Sequence, residues 1–134
     1  MNRLSLICVE DDEDIGMILH YALVQLAGFQ VELFTSAEAA LLHLERYPPD
    51  LFLLDVMLPG MSGVEFLTEL RKQPRFAHTP AIFLTAKTHF LSKEAAQALL
   101  LSGVITKPFN PLTLGDEILS LMQSTSADAG DVSE

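Results

Sequence analysis

Short apolar runs alternate with segments of helical period along this chain, and the alternation repeats five times. Leu4 to Val9 reads as a strand. Asp12 to Ala27 then carries Ile15, Leu19, Ala22, Leu23 and Leu26 at the spacing of an amphipathic helix, which Gly28 ends. Phe29 to Phe34 alternates apolar and polar residues, as a strand with one wetter face does. Ser36 caps a second helix with Ala40, Leu41, Leu44 and Tyr47 inward, stopped by Pro48 and Pro49. Leu51 to Leu54 is continuously apolar and bounded by turn residues, the mark of a strand buried on both faces. Ser62 and Glu65 have capping-box spacing, so a third helix is expected from about Gly63 to Lys72 with Phe66, Leu67 and Leu70 inward.

Pro80 to Leu84 is the fourth strand, with Thr85 at its end; Ser92 to Leu101 the fourth helix; Gly103 to Thr106 the fifth strand. Asn110 suits an N-cap and Pro111 a first helical position, opening a last helix with Leu114, Ile118, Leu121 and Met122 inward. From Ser124 the chain turns polar and acidic, so residues 1–123 read as one folded domain and 124–134 as a disordered acidic tail. Strands alternating with helices imply right-handed crossovers and a parallel sheet. The expected class is α/β, a doubly wound five-stranded parallel sheet with helices on both faces. A flavodoxin-like order 2-1-3-4-5 is expected, because the first, third and fourth strands are the most continuously apolar and so the most central.

Composition narrows the functional classes. The hydrophobic fraction is 49%, yet no segment approaches the run of about eighteen apolar residues that a membrane span needs. The opening Met1-Asn2-Arg3-Leu4-Ser5 does not resemble a signal peptide, and a soluble cytoplasmic protein with no membrane partner is expected. Eighteen acidic against eight basic side chains give a net charge of -10, which disfavours direct contact with nucleic acid. Cys8 is the only cysteine and lies in an apolar run, as a small buried hydrophobe would.

The chemistry concentrates at the carboxyl ends of the strands, where open parallel sheets bind ligands. Asp55 stands where the Leu51 strand meets a Pro59-Gly60 turn; Glu10 and Asp11 follow the first strand, Thr85 the fourth and Lys107 the fifth. Asp12, Glu13 and Asp14 are accounted for as an acidic first helical turn that interacts with the helix dipole. Carboxylates brought together repel unless a cation sits among them, and Mg²⁺ prefers such hard oxygen ligands. Two carboxylates and a backbone carbonyl make a partial Mg²⁺ site suited to a phosphoryl group, to which Lys107 offers positive charge and Thr85 a hydroxyl donor. Each feature also has a plain structural reading, a turn aspartate or a strand-ending threonine; the combination is what is specific.

These residues carry a family resemblance. Val9-Glu10-Asp11-Asp12, Leu54-Asp55-Val56-Met57-Leu58-Pro59-Gly60-Met61-Ser62-Gly63, Leu84-Thr85-Ala86 and Lys107-Pro108-Phe109 resemble, in order and spacing, the motifs of response-regulator receiver domains of two-component signalling, over about residues 3 to 123. The resemblance implies that Asp55 is the phosphoacceptor and that Glu10 and Asp11, with the backbone carbonyl of Met57, hold Mg²⁺ beside it. It also implies that Thr85 senses the phosphoryl group, that Lys107 pairs with it, and that the Lys107-Pro108 peptide is cis. A histidine kinase or histidine phosphotransfer protein would supply the group, and an output protein, not named by the sequence, would read it. A homodimer through the face of the fourth helix, fifth strand and fifth helix is a further expectation, prompted by the apolar load at Phe90, Leu91, Leu99, Leu100 and Leu101.

Two features depart from the family pattern. Val104 stands where receivers often carry an aromatic switch residue, and Leu99-Leu100-Leu101-Ser102 stands where a Gly-Ala turn is frequent. Met57 and Lys87, two residues after Asp55 and Thr85, include no obvious base for water, so a long-lived phosphoryl group is expected. Three other readings compete: a relay intermediate that passes the group to another histidine, an aspartate-nucleophile phosphohydrolase, and an interaction module without phosphorylation. The hydrolase reading lacks its second acid, since that position is Met57, and the complete acid, Thr85 and Lys107 set argues against the third.

Overall fold

A computed structural model describes residues 3–44, 48–86 and 91–130, with 124–130 described by backbone alone. Five strands, β1 (Ser5–Val9), β2 (Gln30–Phe34), β3 (Leu51–Asp55), β4 (Ala81–Ala86) and β5 (Gly103–Lys107), alternate with α1 (Glu13–His20), α2 (Ala37–Leu42), α3 (Gly63–Arg71), α4 (Lys93–Ala98) and α5 (Leu114–Gly130). The strands form one sheet in the order β2-β1-β3-β4-β5, and every neighbouring pair is parallel. The expected strand order is thus the observed one. Register places Val9 beside Leu54, Asp55 beside Leu84 and Ala86 beside Lys107, so the residues that follow the apolar runs line one edge.

Alternation along the central strands divides the core in two. Ile7, Val9, Phe52, Leu54 and Phe83 face α2 and α3, where they meet Ala37, Ala40, Phe66, Leu67 and Leu70. Leu6, Cys8, Leu51, Leu53, Ile82, Leu84 and Ile105 face α1 and α5, where Leu19, Leu114 and Ile118 close the layer. Phe52 is the hub of the first layer, with edge-on ring contacts to Phe66 at 6.1 Å and Phe76 at 5.6 Å. Removing such a ring typically costs about 3–5 kcal/mol, so this layer fixes β3 firmly beneath Asp55.

Helix boundaries differ from the periodicity reading in α1, α2, α4 and α5. After His20 the first helix widens into a π-helix, Tyr21–Leu26, in which Ala27 N donates to Ala22 O at 3.0 Å. The wider winding turns Leu26 outward, to 43% exposure, where a 3.6-residue period would bury it. Helix α2 ends at Leu42, before the prolines, because the His43 ring donates to Ala39 O at 2.9 Å and its N–H to Ala40 O at 3.0 Å. The expected Tyr47 contact lies outside the described residues.

Helix α4 stops at Ala98, with Leu99 as its C-cap. Asn110 accepts from Leu112 N at 2.9 Å in a turn, so Pro111 is a turn residue and α5 begins at Leu114. At its other end the α5 backbone stays helical to Gly130, beyond the boundary expected at Ser124; residues 131–134 lie outside the described residues.

Candidate functional site

The ends of β1, β3 and β5 deliver one charged group each to the same place. Glu10 follows β1, held by its N–H to Phe34 O at 3.0 Å, and its Oε2 accepts from Asp12 N at 3.1 Å. Asp12 itself caps α1 by accepting from Ile15 N at 3.0 Å, as its helix-start reading requires. Asp55 ends β3, and its Oδ1 accepts from Met57 N at 3.2 Å. Lys107 ends β5, where the peptide to Pro108 is cis as expected.

The Lys107 ammonium joins the two acids. Its Nζ lies 2.9 Å from Asp55 Oδ2 and 2.8 Å from Glu10 Oε1. Both carboxylates are buried, Glu10 to 1% and Asp55 to 4% exposure, so these are charge-assisted contacts shielded from water. Lost hydration pushes the Lys107 pKa down, but the hydrogen bonds and charges of Glu10 and Asp55 outweigh it, and the net shift is upward. For Glu10 burial comes first and raises its pKa; the bonds from Lys107 and the Asp12 N–H offset this only in part.

Glu10, Asp11 and Asp55 each offer a carboxylate oxygen, all within 4.8 Å of one another. Among the described residues, three carboxylates against one ammonium leave an excess of two negative charges, and the fully buried Glu10 Oε1 has no aligned hydrogen bond besides its ion pair with Lys107. Hard, crowded, under-compensated oxygens fit a small divalent cation. Asp11 is exposed and supplies the solvent side.

Thr85 and Met57 stand differently. Thr85 is buried at the end of β4, and its hydroxyl donates to Ala86 O at a long 3.4 Å, along its own strand rather than to the acids. Met57 gives its N–H to Asp55, and its side chain is 62% exposed beside the acidic cluster. Lys87 lies outside the described residues.

Two supporting roles escaped the sequence reading. Gly63 opens α3 against the backbone of Asp55: its N–H donates to Val56 O at 3.0 Å, and a Cβ there would overlap Asp55 O. A glycine at a first helical turn is the only sequence signal of that approach. Glu38 on α2 accepts from Met61 N at 2.8 Å and so ties down the loop that follows Asp55. That N–H lowers the Glu38 pKa.

Fold and edge chemistry together define a doubly wound α/β domain built to handle a phosphoryl group on an aspartate. The chain belongs to the response regulator receiver domain family, whose model matches residues 6–119. It is 33% identical over 129 residues to the alkaline phosphatase synthesis transcriptional regulatory protein PhoP of Bacillus subtilis, covering 96% of this chain and 52% of that protein. It is 32% identical over 115 residues to the phosphate regulon transcriptional regulatory protein PhoB of Rhizobium meliloti, covering 86% of this chain and 50% of the relative. The chain therefore spans about half the length of these regulators. Among solved structures it resembles the chemotaxis response regulator CheY4 of Vibrio cholerae, with a TM-score of 0.79 and 30% identity over 90% of this chain and 99% of that one. Receiver domains are signalling domains rather than conventional enzymes; they accept a phosphoryl group on an aspartate, generally bind Mg²⁺ in an acidic pocket, and interact with histidine kinases or phosphotransfer proteins. Among the described residues no helix is long and apolar enough to cross a membrane.

Proposed function

We propose that residues 1–123 form a receiver unit in which Asp55 accepts a phosphoryl group from the phosphohistidine of a kinase or phosphotransfer protein. The observation that carries this reading is the Lys107 ammonium bridging Asp55 Oδ2 and Glu10 Oε1 at the carboxyl edge of the sheet. An Asp55 carboxylate oxygen attacks phosphorus in line; the O–P bond forms as the P–N bond breaks, and the histidine nitrogen leaves with the electron pair. The product is an acyl phosphate. Lys107 needs no reorganisation to meet the transferring oxygens, because it already stands at the acceptor. Glu10, Asp11 and Asp55, with the Met57 carbonyl, would hold Mg²⁺, which supplies further neutralisation of phosphoryl charge.

The acyl phosphate adds roughly one to two negative charges and new acceptor oxygens beside Thr85 and Lys107. Among the described residues Thr85 has only a long bond to Ala86 to give up, which lets its hydroxyl turn toward those oxygens. Output then runs through α4, β5 and α5, where Leu100 is 49%, Val104 45% and Leu119 39% exposed. Val104 is too small for an aromatic switch, and this face is read by an output protein or a second copy of this chain. Phe90 of that expected apolar patch lies outside the described residues. The unit works in the cytoplasm without nucleic-acid contact, in keeping with its charge of -10.

Incubation with candidate kinases and phosphotransfer proteins, with and without Mg²⁺, tests this reading. Transfer is expected to wild type and not to Asp55→Asn, and to stop on chelation. Equal labelling of both proteins by a cognate donor would overturn it.

A further inference from the structure

Arg71, the last residue of α3, makes an arrangement that the phosphoacceptor site does not explain. Its Nε donates to Leu99 O at 2.8 Å, Nη1 to Phe76 O at 2.8 Å and Thr79 O at 2.7 Å, and Nη2 to Leu100 O at 3.4 Å. One half-buried guanidinium thus joins the end of α3, the turn that follows it and the C-terminal turn of α4. Among the described residues helix α4 has little else to hold it. None of its own residues is fully buried, and its apolar anchors are Leu99 at its end with the partly buried Leu91 and Leu101.

The turn that Arg71 grips is an unfavourable one. Leu100 N donates to Gln97 O and Leu101 N to Ala96 O, each at 3.1 Å, and this closure puts Leu100 at a φ of 57°. Among the described residues Leu100 is the one non-glycine at positive φ. The π-helical end of the first helix closes one residue wider, with Gly28 N on Val24 O at 3.2 Å and Phe29 N on Leu23 O at 2.8 Å, but there the left-handed position is Gly28 at 78°. A leucine in that conformation crowds its Cβ against the backbone, so it persists only where surrounding contacts over-determine it. The carbonyls of Leu99 and Leu100 are also helix-end acceptors without an intrahelical donor, and Arg71 satisfies both.

We propose that Arg71 is a positioning residue: it holds the α4–β5 turn closed on α3, keeps Leu100 left-handed, and so sets where Leu100 and Val104 stand on the output face. Its consequence for signalling rests on the output reading given above; the positioning itself does not. Only a fork of several fixed N–H groups reaches three chain segments at once. A lysine keeps the charge but not the fork.

Amide hydrogen exchange on the full chain tests it. Arg71→Lys is expected to speed exchange at Leu100, Leu101 and Ser102 by about tenfold beyond any change in global stability, while Cys8 and Leu53 amides follow the global change alone. Adding Leu100→Gly is expected to restore most of the lost protection, because glycine accepts the left-handed turn unaided. Labelling of Asp55 by acetyl phosphate should stay within about twofold of wild type, since the clamp touches none of the site residues. Exchange at the three amides that is unchanged, or raised only by the global factor, or not recovered by Leu100→Gly, overturns the proposal. Should Arg71→Lys fail to fold, Leu100→Gly alone decides: slower exchange at Leu101 supports a strained, clamped turn, and unchanged exchange contradicts it. Light scattering and partner pull-downs on wild type and Leu100→Asp, with and without beryllofluoride, judge the output reading separately. No difference among those samples would contradict that reading while the exchange data still decide the role of Arg71.

Discussion

At Gly63 the structure leaves room for a hydrogen and nothing larger between the start of α3 and the Asp55 carbonyl. Gly63→Ala must therefore push α3 off β3. The expected cost is about 1–3 kcal/mol of stability, as for other overpacked sites, together with slower phosphorylation because Asp55 moves with its backbone. Urea titration and labelling rates read the two effects. Cys8, fully buried in β1, gives a pH signature: burial pushes its thiol up to about 12. The unfolded chain loses that proton from about pH 8.5 while the folded one keeps it, so the folded state binds more protons in this window and stability falls as pH rises. The contribution is about 1.4 kcal/mol per pH unit. The stability gap between wild type and Cys8→Ala should narrow accordingly from about pH 9 upward, and a constant gap would contradict it. At this scale Glu10, Asp55 and Lys107 were legible because each is a charge ending an apolar run. Gly63 and Glu38 were not, since one depends on how closely a helix approaches a strand and the other on a bond across 23 residues.

Helix α3 shows how local chemistry fixes an element. Ser62 Oγ accepts from Glu65 N at 3.1 Å and Glu65 Oε1 from Ser62 N at 2.9 Å, the reciprocal cap that the spacing predicts. Ser62→Ala is expected to cost about 1 kcal/mol, read as a shifted urea midpoint with an unchanged slope. Such caps are short-range, which is why the starts of α2, α3 and α4 at Ser36, Ser62 and Ser92 could be read in advance. Helix ends were harder. The π-helical turn that exposes Leu26, and the closure that forces Leu100 to positive φ, answer to packing and to Arg71 rather than to any residue pattern nearby.

For the molecule as a whole, burial decides the order of the sheet. Strands β1, β3 and β4 are apolar almost throughout and therefore central, and β5 lies beside β4, which brings Glu10, Asp55 and Lys107 to one edge although they lie far apart in the chain. The same crowding of acids predicts that Mg²⁺ raises the unfolding temperature of wild type and has a much smaller effect on Glu10→Gln, which differential scanning calorimetry can measure. An equal rise in both would show that the cation binds elsewhere. Of the two buried carboxylates bridged by Lys107, Asp55 is the proposed phosphoryl acceptor. Mass spectrometry of the protein after treatment with acetyl phosphate and Mg²⁺ tests it most directly. The account predicts a single phosphoryl group on Asp55 in wild type and none on Asp55→Asn; a phosphoryl group that maps to another residue, or that survives in Asp55→Asn, would contradict it.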